Sequence, residues 1–291
     1  MQKMTSDGTL LEYEIKGSGE PVLLISTGPI ADSFMPFLSE KALLERYRMI
    51  AYHQRGQVGS PRGAGAGAVS FQEHAADAAR LLRHLGIPRA HVAGHSTGAI
   101  IALQLAADEP ALVHTLVLLE PPLMSVPSAG AFFEKIGPAL AAYQAGDSKN
   151  AMAKFLSVVS SLDWDSCRAA IQKHVPGGVA QAMKDADSLF GGYLIALQAW
   201  QFGAQQASAI AQPLLSVLGT ATEQLFVESH ELLHAWFPRM EDCKIEGVAH
   251  LLHIQRPEAV LSGVAAWLAR HPMQRSKPES VSENRTPAIE T

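Results

Sequence analysis

A chain of 291 residues with 47% hydrophobic and 18% charged side chains can bury a sizeable core, which excludes a generally disordered protein. A formal charge of −5 excludes nucleic acid or an anionic membrane surface as an expected partner, and no stretch approaches the ~20 apolar residues of a bilayer span. Met1 to Gly8 carries no secretory segment, and Cys167 and Cys243 match no zinc or redox spacing, so a soluble, cytoplasmic protein with reduced thiols is expected.

In chain order, residues 9–16 alternate as a strand, and residues 21–26 form a continuous apolar run suited to a strand covered on both faces. That run ends in the loop Thr27-Gly28-Pro29-Ile30. Helical spacing follows over 34–45, a strand over 47–52, and a polar loop from His53 to Ser60. After a Gly/Ala-rich loop at 61–68 come a helix at 71–85, a strand at 90–93, a helix at 99–107 and an apolar strand at 115–119. Residues 123–212 are helical in pattern, with breaks at Gly137-Pro138, Gly146-Asp147, Pro176-Gly177-Gly178 and Gly191-Gly192. Alternation resumes with a strand at 213–219, a helix near 226–236, a strand near 243–246 and a last helix at 257–270. Strands alternating with helices predict a mostly parallel sheet, so the expected organisation is an α/β core at 1–122 and 213–272 with a helical cap at 123–212. Residues 273–291 are polar and are expected to be a disordered tail.

Gly94-His95-Ser96-Thr97-Gly98 lies between the strand at 90–93 and the helix at 99–107 and has the G-x-S-x-G form of a nucleophile elbow. A sharp strand-to-helix turn lifts the Ser96 hydroxyl out of the sheet edge and leaves the Thr97 N–H at a helix start, facing a developing oxyanion. A glycine-rich turn without chemistry is the competing reading of the motif taken alone.

A serine hydroxyl needs a base. His250 follows a short strand and a glycine turn at the same sheet edge and is the candidate, with His253 its competitor. Glu120 ends an apolar strand at that edge and is the candidate acid, with Glu223 the alternative. The second oxyanion donor should come from the loop after the strand at 21–26; Pro29 has no N–H, which leaves Gly28 or Ile30. Arg55 is expected to brace its loop and His53 to cap a strand end, while His95 packs beneath the elbow. His74 and His84 are ten apart, so no metal is expected.

The order of these features resembles the α/β-hydrolase fold over about residues 8–272. Within it, Gly219-Thr220-Ala221-Thr222-Glu223-Gln224-Leu225-Phe226 is similar to a stretch of the zearalenone-type lactone hydrolases, which take their acid from a Glu just after the strand preceding the cap, where Glu120 stands. The usual pattern of the fold has His at Thr27, Asp at His53 and an Asp a few residues beyond Gly219; this chain departs at all three. The resemblance implies Gly28 as the second oxyanion donor and Ser96, His250 and Glu120 as a triad.

The expected function is that of a cofactor-free serine hydrolase of an ester or lactone, with a zearalenone-like macrolactone as one candidate. The cap is rich in aromatic residues, which suggests a small apolar or aromatic substrate; Pro29, Ile30, Trp164, Phe190 and Tyr193 are the candidate substrate contacts. A C–C bond hydrolase, a cofactor-free oxygenase and a ligand-binding receptor on the same scaffold stay open, as does a homodimer.

Overall fold

The computed structural model describes residues 1–6, 8–62 and 67–273. Residues 63–66 of the expected Gly/Ala loop and all of the expected tail but residue 273 lie outside them.

The strands are β1 (Gln2–Ser6), β2 (Thr9–Lys16), β3 (Glu20–Ile25), β4 (Tyr47–Tyr52), β5 (Ala90–His95), β6 (Val113–Leu119), β7 (Leu214–Gly219) and β8 (Glu241–Ile245). They form one sheet in the order β1-β2-β4-β3-β5-β6-β7-β8. The pairs β1–β2 and β2–β4 are antiparallel, and every other neighbouring pair is parallel. Successive residues of a strand point to opposite faces. Val22 and Leu24 of β3 therefore enter one core and Leu23 and Ile25 the other.

Helices α1 (Met35–Ser39), α2 (Lys41–Leu44), α3 (Phe71–His84) and α4 (Thr97–Asp108) come from the first half of the chain. Between β6 and β7 stand α5 (Ala129–Gln144), α6 (Ser148–Ser160), α7 (Trp164–His174), α8 (Gly178–Lys184) and α9 (Ala186–Ser188), which continues through a π turn at Leu189–Tyr193 into α10 (Leu194–Ala199) and then α11 (Ala204–Ala207). This insertion has no strand among the described residues. It is followed by α12 (Gln224–Trp236), α13 (Leu252–Gln255) and α14 (Pro257–Arg270). Helices α3, α4 and α12 feed the core on one face of the sheet, and α1, α2 and α14 that on the other. Every residue from Thr97 to Ala106 is buried, as a predominantly apolar helix at the centre of a fold should be, and the buried Gln104 accepts from Trp200 Nε1. No helix among the described residues is long and apolar enough to cross a membrane.

Two elements differ from the sequence expectation. β1 is an edge strand whose side chains are mostly exposed, with Met4 alone of its five buried, so no apolar alternation marks it. The helix expected over 34–45 is broken at Glu40, whose backbone is extended (φ −83°, ψ 106°) and whose side chain accepts a hydrogen bond from the Ala42 N–H to start α2. The parallel order matters for chemistry, because it brings the carboxyl ends of β3, β5, β6, β7 and β8 side by side.

Candidate active site

Ser96 stands between β5 and α4 with φ 57° and ψ −123°, a backbone region that costs a non-glycine residue about 1–3 kcal/mol. Its N–H donates to the Leu119 carbonyl at the end of β6 at 2.9 Å, which holds the strained residue in place. The flanking glycines are required by packing. A Cβ on Gly94 would lie 2.3 Å from the Gly98 oxygen, and one on Gly98 would lie 2.1 Å from the Ile25 oxygen. The start of α4 can therefore press against the end of β3 only with bare backbone at 98.

Glu120 follows β6 directly, also at positive φ (45°). Its Oε2 accepts from His250 Nδ1 at 2.8 Å and from the Thr222 hydroxyl at 3.0 Å, and its Oε1 accepts from the Gly219 N–H at 2.7 Å. Thr222, in the region where the fold's usual acid would lie, thus serves Glu120 as a donor. Glu223 is turned outward and pairs with Lys135 of α5 at 2.5 Å. Burial pushes the Glu120 carboxyl up to about 8, against the bonds from Gly219 and Thr222 that favour its charge. Burial likewise pushes the His250 imidazole down to about 3, so the ring is neutral at physiological pH. With the proton on Nδ1 facing Glu120, Nε2 carries the free lone pair that a base requires.

Ser96 and His250 line one cavity, of about 30 Å³. Neither Ser96 Oγ nor His250 Nε2 has a hydrogen-bond partner among the described residues. The two groups share the cavity without being joined in this conformation, an arrangement common before substrate binds. Phe226 stacks flat on the His250 ring, with centroids 3.9 Å apart and planes 11° apart, which fixes the imidazole's face. The wall is otherwise apolar and comes from both parts of the fold: Thr27, Pro29, Thr97, Pro122 and Leu251 from the core, and Phe132, Phe155, Leu156, Val159, Leu189, Leu194 and Leu197 from the insertion. A space of this size holds one or two waters. An ester of any size therefore requires the inserted helices to move. Larger clefts, of about 350 and 340 Å³, lie by Trp236 to Glu241 and between α2 and α14, away from Ser96.

Of the five expected substrate contacts, Pro29 alone lines the cavity. Ile30 is buried in the core beside it. Trp164 opens α7 half-buried and away from the cavity wall. Phe190 packs inside the insertion between Tyr143 and Phe155. Tyr193 lies behind the Gly28 loop, stacked on His74, with its hydroxyl donated to Gln54 Oε1 at 2.7 Å. Helical spacing does not distinguish the face of an inserted helix that packs on its neighbours from the face that looks inward. The aromatic residues that do face the cavity are Phe132, Phe155 and Phe226.

The expected oxyanion donors are arranged in an unforeseen way. Thr97, as the first residue of α4, has an N–H with no intrahelical partner. The Gly28 N–H, however, donates to the Thr97 side-chain oxygen at 2.9 Å and is thereby occupied. Its direction is set from behind: Gln57 Nε2 donates to the Thr27 carbonyl at 3.0 Å and to the Gly28 carbonyl at 2.8 Å. In a trans peptide the C=O and N–H point oppositely, so pulling the Thr27 oxygen toward Gln57 aims the Gly28 N–H at the elbow. Gln54 completes the brace by donating to the Ser26 carbonyl at 2.7 Å. Sequence reasoning missed both glutamines, since nothing in a polar loop marks which of its amides are buried.

Arg55, His53 and His95 have structural partners. Arg55 forms a two-pronged pair with Asp77 of α3, and His53 Nε2 meets Asp32 at 3.1 Å. His95 Nε2 donates to the His250 carbonyl at 2.8 Å. His253, the competing base, is fully buried behind His95 with ring centroids 4.2 Å apart, and does not line the cavity. Cys167 and Cys243 are free thiols.

The profile of the α/β hydrolase fold matches residues 20–257. Over 113 residues the chain is 44% identical to RutD of Variovorax paradoxus (strain S110), provisionally named a carbamate hydrolase; the match covers 38% of this chain and 41% of RutD. The chain thus spans about two fifths of the length of the curated relatives it matches. Among solved structures, the enol-lactonase from Burkholderia xenovorans LB400 superposes with a TM-score of 0.75 at 19% identity, covering 92% of this chain and all of that one. Est816, described as an N-acyl homoserine lactone degrading enzyme, superposes with a TM-score of 0.68 at 22% identity, covering 91% of this chain and all of that one. These likenesses agree with the eight-stranded, mostly parallel sheet. The chain belongs to the α/β-hydrolase fold family.

Proposed function

We propose that this protein is a serine hydrolase that opens an ester or lactone with its own side chains and water. Ser96 gives its proton to His250 Nε2 as Oγ attacks the substrate carbonyl, and the imidazolium is held by Glu120. The Thr97 N–H receives the oxyanion, and the carbonyl oxygen takes over the Gly28 N–H from the Thr97 hydroxyl. His250 then protonates the departing alkoxide, and a water activated by the same ring releases the acyl group from Ser96. The observation that carries this reading is the 2.8 Å bond from His250 Nδ1 to Glu120, in a ring that shares the cavity of a strained, elbow-borne Ser96.

The apolar wall supports a hydrophobic substrate. The likeness of Gly219 to Phe226 and of Glu120 to the zearalenone-type lactone hydrolases supports a lactone over a linear ester. RutD's name supports including carbamates, whose carbonyl the same groups could attack.

The test is hydrolysis of p-nitrophenyl esters, a macrocyclic lactone and an aryl carbamate by the wild-type chain and by Ser96→Ala. Turnover of at least one substrate is expected, with a loss of roughly 10⁴–10⁶-fold in the variant. Equal rates in the two proteins would overturn the proposal and leave a ligand-binding role on a hydrolase scaffold.

A further inference from the structure

His230 and His234 are four residues apart on α12 and so lie on one face of it. Across from them is Asp242 of β8, which is the register partner of Ser216 on β7, so both strand side chains project toward the same helix. His234 Nε2 is 2.9 Å from Asp242 Oδ1 and 3.1 Å from Oδ2, and His230 Nε2 is 3.6 Å from Oδ1. One ligand atom from each of the three residues can be chosen so that all lie within 4.8 Å of one another. None of the three belongs to the cavity at Ser96.

We propose that His230, His234 and Asp242 form a site for a divalent zinc-class ion that ties α12 to the edge strand β8. The donor set is two imidazole nitrogens and one carboxylate oxygen, which suits zinc and its borderline neighbours and not magnesium or calcium, which take oxygen. Zinc bonds of ~2.0–2.2 Å place tetrahedral ligand atoms roughly 3.3–3.6 Å apart. The 2.9 and 3.6 Å separations from Asp242 bracket that spacing, and all three ligand atoms lie within 4.8 Å of one another, so closing the site takes side-chain rotations that draw the two imidazoles together.

The buried ring is already oriented as a metal ligand would be. His230 Nδ1 lies 2.8 Å from Ser216 Oγ, which fixes Nδ1 as the bonded nitrogen and leaves Nε2 toward Asp242. His234 and Asp242 are partly exposed, which gives the ion a path in and leaves room for water to complete the coordination. The neighbouring charges, Lys244 and Glu231, offset one another. α12 also carries Phe226, one turn before His230, whose ring covers His250. An ion at this site would therefore stiffen the helix that backs the candidate base.

The test uses the full, tag-free chain stripped with a chelator, with zinc and magnesium chlorides as probes. Thermal unfolding should shift upward by about 5 °C or more at free zinc ~100-fold above the dissociation constant, and not with magnesium. The shift should vanish in His234→Ala and in Asp242→Asn, both at partly exposed positions. Cobalt(II) should give visible d–d absorption in the wild type that both variants lose. No zinc shift, or an equal shift in both variants, would overturn the site. Because Ser96→Ala should keep the zinc shift, failure of the proposed hydrolysis and failure of this site are told apart.

Discussion

Glu120 is the residue on which the proposed chemistry turns. Its carboxyl is fully buried, and the three donors around it, Gly219, Thr222 and His250, are all arranged for a carboxylate. Replacing it with Gln keeps the shape and removes the charge that holds the imidazole in its productive tautomer. We expect Glu120→Gln to lose ~10⁴ in kcat, and Glu223→Gln to stay within a few-fold of wild type. Steady-state kinetics of the two variants decide it; the reverse order would assign the acid to Glu223. The pH dependence follows from the same burial. The carboxyl is raised to about 8, so the ionised form needed by His250 is lost as pH falls through that value. kcat/KM should therefore climb toward a plateau above about pH 8. A profile flat down to pH 5 would contradict this.

At the scale of elements, the loop after β3 and the loop after β4 act as one unit. Gln54 and Gln57 reach from the second loop to hold three carbonyls of the first, Ser26, Thr27 and Gly28. Gln57→Leu would leave the Thr27 and Gly28 oxygens buried without a donor, at about 1–3 kcal/mol each. It would also free the peptide that aims the Gly28 N–H. We expect an unfolding free energy, read from denaturant titration, lowered by that amount, together with a fall of at least ~10-fold in kcat. Loss of stability with kcat unchanged would show that the brace serves folding alone. The His250 loop is tied to the insertion in a similar way. Its N–H donates to the Val159 carbonyl of α6 at 3.3 Å, and Gln255 donates to the Ser160 carbonyl at 3.1 Å. Displacement of α6 to admit substrate would therefore be felt at the candidate base.

For the whole molecule, the buried histidines set the response to acid. Burial lowers His74 and His250 to about 3 and His91 to about 4, and holds His95 and His253 well below the usual imidazole value. A folded-state value below the unfolded one means that the unfolded chain binds more protons as pH falls below about 6.5. Each of these rings then removes about 1.4 kcal/mol of stability per pH unit until its own folded value is reached. Glu120 acts in the opposite sense between about 8 and 4.5, but as one group against six, since burial lowers His230 as well. A domain stability of ~5–15 kcal/mol would be exhausted within about two units. Cooperative acid unfolding with a midpoint near pH 5 is the expected result by circular dichroism. A midpoint below about pH 3.5 would show that the histidines are paired in ways that offset their burial.

Local chemistry made much of this legible in the sequence. The strands at 9–16 and 47–52 and the helix at 257–270 were readable to the residue, because apolar periodicity and glycine or proline breaks act over a few positions. The elbow at Ser96 was readable because a strand-to-helix turn with no room for a Cβ leaves glycine as the one choice on either side. β1 and the break at Glu40 were not, since an exposed edge strand and a one-residue kink leave little trace in hydrophobic pattern. The substrate wall, the occupied Gly28 N–H, the buried Gln54 and Gln57, and the approach of Asp242 to His230 and His234 were decided only in three dimensions. Each depends on side chains from elements far apart in the chain, and packing, not local preference, fixes which of their faces meet.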